Sequence, residues 1–301
     1  MARLTPSAVC EALREAGLDL RPNEVALDER EDRWAVTLPD DRMAWFPANA
    51  EGVARLAADR RLLRLLAARC RFRVPRLLYE SPAGFDLRAV VPGQCDPFGL
   101  YRRIAGDRGV AQWLGHALGL VLVDQHGCIG RSDVAGWLPE KVPWPEPAAW
   151  IRQRLPSVTD DGALLVRIEQ VLRLQEALTI PADEHALVHG DLGLHNIAVA
   201  PQSGELRGVF DYDGAAWDDR HLDFRYLVFD HDDETMFDAA VASYEPAAGR
   251  RIDRGRVRLY NAVSAICYLA FRQGVPAETR HCGRTLAEDL AWTRKAVAAV
   301  L

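Results

Sequence analysis

Hydrophobic positions change period several times within the first 92 residues. Apolar residues recur at helical spacing from Ser7 to Ala16, then give way to strand-like stretches at Glu24–Leu27 and Arg33–Leu38. Pro39-Asp40-Asp41 is a turn signal ahead of a third strand, Met43–Phe46. Val53, Leu56, Leu63 and Leu66 mark one face of a helix over Ala50–Arg69, and Leu87–Val91 reads as another strand, ending at Pro92-Gly93. Beyond that point the pattern is mainly helical. Trp113, Leu114, Ala117, Leu118, Val121 and Leu122 lie on one helix, and Leu164–Leu178 carries a second. Between Leu187 and Phe210 the period changes again: Ala186–Val188 and Asn196–Ala200 are short apolar strands. Pro201-Gln202-Ser203-Gly204 is a turn, and Leu206–Phe210 returns as an antiparallel partner. The rest is expected to be helical to Leu301, with interruptions near Glu245–Gly249 and Gly274–Glu278. Trp113, Phe224, Tyr260 and Tyr268 read as core residues. The fold class is therefore expected to be α+β, with a small strand-rich lobe over 1–92 and a larger helical lobe over 93–301.

Composition narrows the function classes. Of 301 residues, 49% are hydrophobic and 27% charged, which is ordinary for a globular chain long enough to bury a large core. A formal net charge of -6 argues against broad nucleic-acid binding, which needs a basic face. Six cysteines without C-x-x-C spacing read as reduced, mostly buried thiols of a cytoplasmic protein. Met1–Leu20 carries Arg3, Glu11, Arg14, Glu15 and Asp19 and is no signal peptide, and no apolar run is long enough to span a membrane.

The segment that carries chemistry is Leu187-Val188-His189-Gly190-Asp191-Leu192-Gly193-Leu194-His195-Asn196-Ile197, followed by Phe210-Asp211-Tyr212-Asp213. Asp191 follows a strand and a glycine, Asn196 opens the next strand, and Asp211 ends that strand's partner. Two carboxylates and a carboxamide in this arrangement suit a hard cation such as Mg²⁺. Phosphoryl transfer needs this equipment: a cation to neutralise phosphates and a carboxylate to orient the attacking hydroxyl. Other readings stay open at this stage. A metal-dependent hydrolase could use His189, Asp191, His195 and Asp211. Asp213 either shares the metal or caps the turn before Gly214. The run Asp230, Asp232, Asp233 and Glu234 is either a solvated helix start or an acidic wall for a cationic acceptor.

H-x-D-x-x-x-x-N with a following apolar strand ending in Asp is a protein-kinase-like set. Written out as H-G-D-L-G-x-x-N-I with a later V-x-D, it resembles the aminoglycoside phosphotransferase family, relatives of choline kinase. The resemblance implies a protein-kinase-like two-lobed fold. It also implies ATP or GTP as co-substrate with Mg²⁺, and a small hydroxylated acceptor. By the same resemblance the catalytic residues are Asp191, as base, and His189, which props the loop. Asn196 and Asp211 are the metal and nucleotide ligands, and Asp223 is a structural aspartate. Ala89 and Val91, at the crossover, lie against the nucleotide base. One departure stands out. The family's strand lysine has no counterpart, because Lys141 is the first lysine in the chain. Trp45 occupies that position, and Asp59 or Glu51 stands where a helix glutamate is expected. The glycine-rich phosphate loop is replaced by Asp28-Glu29-Arg30-Glu31-Asp32. Arg42 or Arg60 would then have to supply the missing cation, with Arg30 or Arg33 serving the loop, or else activity is reduced.

Overall fold

A computed structural model describes residues 4–228 and 234–301. By contact the chain divides into two compact units. One comprises the chain up to Pro97 with Ala135–Leu138 and Leu194–Asp213, and the other comprises Phe98–Val134, Pro139–Gly193 and Gly214–Leu301.

The first unit is built on a sheet. Helix α1 (Pro6–Leu13) begins at Thr5, whose hydroxyl caps it, and strands β1 (Ala26–Glu29), β2 (Arg33–Leu38) and β3 (Arg42–Pro47) follow. After α2 (Ala50–Arg69), capped by Asn49, come β4 (Arg76–Glu80) and β5 (Asp86–Ala89). The sheet order is β1-β2-β3-β5-β4, and every pairing is antiparallel. Alternation splits the strands between two environments. Trp34, Val36 and Leu38 of β2 pack with Ala44, Phe46, Phe85 and Leu87 against Val9 and Leu13 of α1. Phe46 and Phe85 stack with ring centroids 4.7 Å apart. The opposite face carries Arg33, Ala35, Trp45, Asp86 and Arg88, in register through the pairs Ala35↔Trp45 and Trp45↔Asp86. These residues meet Asp59 and Arg60 of α2.

The second unit begins with α3 (Pro97–Gly106), α4 (Arg108–Cys128), α5 (Arg131–Val134), α6 (Ala148–Arg154) and α7 (Gly162–Glu176). Strand β6 (His185–Val188) precedes the motif. The hairpin β7 (Ile197–Val199) and β8 (Leu206–Val209) belongs to the first unit, and β9 (Ala216–Asp219) returns to pair with β6. Helices α8 (Thr235–Ala248), α9 (Arg254–Ala270) and α10 (Leu286–Ala298) complete the described chain. Helices α6, α7, α9 and α10 share one apolar core around Ile168, Ile266 and Val297. Helices α4 and α8 touch through their backbones. A Cβ at Gly115 would lie 2.1 Å from the Met236 carbonyl oxygen, and one at Gly119 would lie 2.4 Å from that of Ala240. Among the described residues no helix is long and apolar enough to cross a membrane.

The α+β class expected from the periodicity holds, and most elements fall within a residue or two of their expected bounds. Strands β4 and β9 were not anticipated, and β1 starts two residues later than expected. The helix interruption expected over Glu245–Gly249 is shifted to residues 249–253, because α8 carries Pro246 in its last turn and runs on to Ala248, and α9 starts at Arg254. Trp113 is 41% exposed rather than core, whereas Phe224 is fully buried. The cysteines are not mostly buried: Cys10 and Cys267 are, but Cys95, Cys128 and Cys282 are exposed. All six are free thiols. Of the acidic run, Asp230, Asp232 and Asp233 lie outside the described residues. Glu234 pairs with Arg258 at 2.7 Å.

Candidate active site

In the second unit, β6 delivers His189, Gly190 and Asp191 to a turn fixed from below by Asp223. The Asp223 carboxylate is buried and accepts from the backbone N–H of His189 (2.9 Å) and of Gly190 (3.0 Å), and from Gln125 Nε2 (2.8 Å). His126 Nε2 lies 3.1 Å from the same carboxylate, and its Nδ1 lies 3.1 Å from the Tyr244 hydroxyl. Burial alone would raise the Asp223 carboxyl. The His126 hydrogen bond and charge bring it below its ordinary value instead. Gly190 is at φ +78, and a Cβ there would lie 2.1 Å from the Gly214 carbonyl oxygen, so only glycine fits.

His189 is fully buried, and its Nδ1 accepts from the Asp191 N–H at 3.2 Å. That bond requires an unprotonated Nδ1, so His189 positions the backbone of Asp191. Asp191 itself is part-buried, and the Tyr226 hydroxyl hydrogen-bonds to it. Burial pushes the Tyr226 phenol up, so it stays a donor. Behind Tyr226 lies Arg225, a fully buried guanidinium whose Nη2 donates to the Gly190 carbonyl and reaches the Tyr226 hydroxyl at 3.4 Å. The Arg225–Tyr226 pair went unremarked in the sequence. Its only signal is a charged residue inside the aromatic stretch Phe224-Arg225-Tyr226.

A second cluster holds half-buried Glu184 with buried Asp219 and His221, their ligand atoms within 4.8 Å of one another. Two arginines already neutralise it: Arg220 reaches Glu184 at 2.7 Å, and Arg256 reaches Asp219 at 3.3 Å. The cluster is an ion-pair network. Burial alone would raise Asp219. The His221 hydrogen bond and charge and the Tyr260 hydroxyl outweigh it and bring the carboxyl down to about 2.

In the first unit the β7–β8 hairpin places Asn196 and Asp211 at one end. Ile197 pairs with Val209, and the Phe210 N–H donates to the Asn196 carbonyl at 3.0 Å. Asp211, one residue further, has φ +64, a left-handed conformation that costs a non-glycine residue on the order of 1 kcal/mol. Asn196 is buried, and Asp211 lines a cavity of about 180 Å³ with Asp213, Arg33, Arg55 and Trp45. The turn Tyr212–Gly214 carries Asp213, whose carboxylate accepts from Arg33 Nη2. Ala89 ends β5, half-buried, and Val91 is buried beside Gly208.

Arg30 and Arg33 line the cavity beside Asp211, but neither arginine offered in place of the strand lysine does. Arg42 stays in its own turn, on Asp40 at 3.0 Å and the Pro39 carbonyl at 3.2 Å. Arg60 is committed to Asp86, to Glu80 at 3.2 Å and to the Gly84 carbonyl at 2.6 Å. Instead Arg33 and Arg88, from the strands on either side of β3, cover the Trp45 ring at 4.7 and 5.6 Å from its centroid. Both face Asp59 of α2, at 3.6 and 3.5 Å. Burial pushes the Asp59 carboxyl up to about 6; the Arg88 and Arg33 charges oppose the rise and the Asp213 charge adds to it. A carboxyl whose pKa is raised by folding contributes stability that is complete below its unfolded value, 3.8, and is lost as pH rises through 6. Between pH 5 and 7 the loss is roughly 1 kcal/mol. Thermal melts should therefore show stability falling over that interval, and Asp59→Asn should flatten the fall; an unchanged slope would contradict the assignment.

The model of the phosphotransferase enzyme family matches residues 16–260. Among solved structures, the chain is similar to wild-type aminoglycoside 2'-phosphotransferase-IIIa in its GDP complex. Identity there is 17% and the TM-score 0.64, over 99% of this chain and 100% of that one. It is similar also to an apoenzyme, the macrolide 2'-phosphotransferase of Brachybacterium faecium, at 19% identity and TM-score 0.65 over 98% of both chains. A third, the streptomycin-ATP ternary complex of APH(2")-IIa, matches at 16% identity and TM-score 0.65 over 99% of both. At such identities these likenesses establish the fold. No curated protein sequence matches the chain. With the family model covering most of its length, the chain belongs to the phosphotransferase enzyme family.

Proposed function

We propose that the protein transfers the γ-phosphoryl group of ATP or GTP, with Mg²⁺, to a hydroxyl of a small molecule. The observation that carries the reading is the Asp223-anchored turn, which fixes Asp191 through two backbone N–H groups and the His189 ring. Asp191 is the catalytic residue: it takes the hydroxyl proton as the oxygen attacks phosphorus and the bond to the departing diphosphate breaks. His189 holds Asp191 in place. Asn196 and Asp211 are the metal ligands. Their hard oxygen donors and shared hairpin end fit Mg²⁺, which neutralises phosphate charge when bound. Ala89 and Val91 contact the nucleotide base, and the lobes are taken as 1–92 and 93–301. The likeness to a streptomycin-ATP complex and to a macrolide phosphotransferase favours a bulky, hydroxylated acceptor.

A second reading is favoured by the cavity at Asp211, where five carboxylates outnumber three arginines and Trp45 fills a position expected to hold a cation. On that reading the chain binds nucleotide without turning it over. The test is a triphosphate-consumption screen against hydroxylated amines, sugars and antibiotics, with product phosphorylation read by mass. Acceptor-dependent consumption establishes the transferase. Nucleotide binding with no phosphorylated product across the panel selects the silent form.

A further inference from the structure

Three arginines reach the cavity beside Asp211, and they are not equivalent. Arg30 is 59% exposed and sits on Asp28 at 2.7 Å; Arg55, 38% exposed, donates to Asp32 at 2.5 Å. Both are solvated side chains with their charge satisfied locally. Arg33 is 5% exposed, extends from β2, and is held under the face of Trp45. Its Nη2 donates to Asp213, but its Nε and Nη1 have no hydrogen-bond acceptor, since Asp32 and Asp59 stand at 3.9 and 3.6 Å. A buried guanidinium with unused donors is costly to keep, and its planar fork matches a phosphate better than a single carboxylate oxygen does.

We propose that Arg33 binds the phosphate chain of the nucleotide, and that Asp213 occupies its guanidinium until phosphate displaces it. The inference rests on the phosphotransfer reading. Asp213 is suited to the exchange: it is 36% exposed on its side chain, in a short turn two residues after Asp211, so release returns its carboxylate to water. Arg33 is suited to stay, because Asp59, Asp32 and the Trp45 ring fix its position whether or not Asp213 is engaged. The missing strand lysine is thus replaced from the neighbouring strand, with Trp45 as the platform that orients the substitute.

Calorimetric titration of the full chain with ADP, once with Mg²⁺ and once with EDTA, tests this. Arg33→Ala should weaken binding about tenfold to a hundredfold in both conditions, as loss of a charge-assisted contact does. Arg33→Lys should recover part of it. Asp213→Asn should move the other way and tighten metal-free ADP several-fold, because the competitor for the guanidinium is gone. The opposite sign protects the test from a folding defect in the alanine variant. Wild-type affinity in Arg33→Ala, or weaker metal-free binding in Asp213→Asn, overturns the inference and leaves the transferase intact. A wild-type chain that binds no ADP in either condition overturns the phosphotransfer reading itself.

Discussion

Asp223→Ala is expected to cost about 3–5 kcal/mol of stability. The carboxylate is buried and collects four hydrogen-bonding nitrogens, two from the backbone of the His189–Gly190 turn and two from α4. Alanine removes the acceptor these nitrogens share, in a site too enclosed for bulk water, although Gln125 keeps its bond to the Leu187 carbonyl. For a unit of this size the melting temperature should fall by roughly 10 °C. The pH dependence carries a second signature. A carboxyl held below its ordinary value contributes stability that is present above its unfolded pKa and lost as pH falls through the folded one. The wild type should therefore destabilise on acidification through this group, and Asp223→Ala should lack that part of the slope. A variant melting within 2 °C of wild type, a margin of about 1 kcal/mol, would mean that the turn is held by something else.

What the sequence disclosed depended on how local its cause was. The hairpin that brings Asn196 and Asp211 to one end is set by the thirteen residues Ile197–Val209, two short apolar stretches joined through a Pro-Gln-Ser-Gly turn, and only the register shift between Ala198 and Val199 went beyond what they foretold. Strand β9 was invisible because Ala216-Trp217-Asp218-Asp219 is half acidic. It becomes a strand because β6 needs a partner and because Asp219 is stabilised by His221, Tyr260 and Arg256. The cation network around Trp45 was hidden for a similar reason. Arg33, Asp59 and Arg88 are separated by 26 and 29 residues, and only the register of β2, β3 and β5 puts them on one face. Spacing within the motif named Asp191 and the family resemblance named Asp223, but Arg225 and Tyr226 acquire meaning only when their neighbours are known. Trp113 shows the converse error. It fits the apolar helical pattern, yet it lies outside the stripe that α4 turns toward α8, and so stays half in solvent.

Asp191→Ala should lower turnover about a thousandfold while leaving the affinity for ADP with Mg²⁺ within a factor of two or three. A positioned carboxylate that receives the hydroxyl proton contributes about 10²–10⁴ in rate, and its effect appears in kcat because it acts as the oxygen–phosphorus bond forms. Asp191→Asn should be nearly as slow, since the carboxamide keeps the shape and loses the basic oxygen. Tyr226→Phe separates support from chemistry. It removes the hydroxyl that hydrogen-bonds to Asp191, without removing the carboxylate. The expected loss is about tenfold in kcat, the scale of one hydrogen bond to a charged group. Its melting temperature should change little if Arg225 keeps its bond to the Gly190 carbonyl. Equal losses in Asp191→Ala and Tyr226→Phe would instead make the tyrosine part of the reacting set. Full turnover in Asp191→Asn would remove the carboxylate from the mechanism, and the turn built beneath it would then need another purpose.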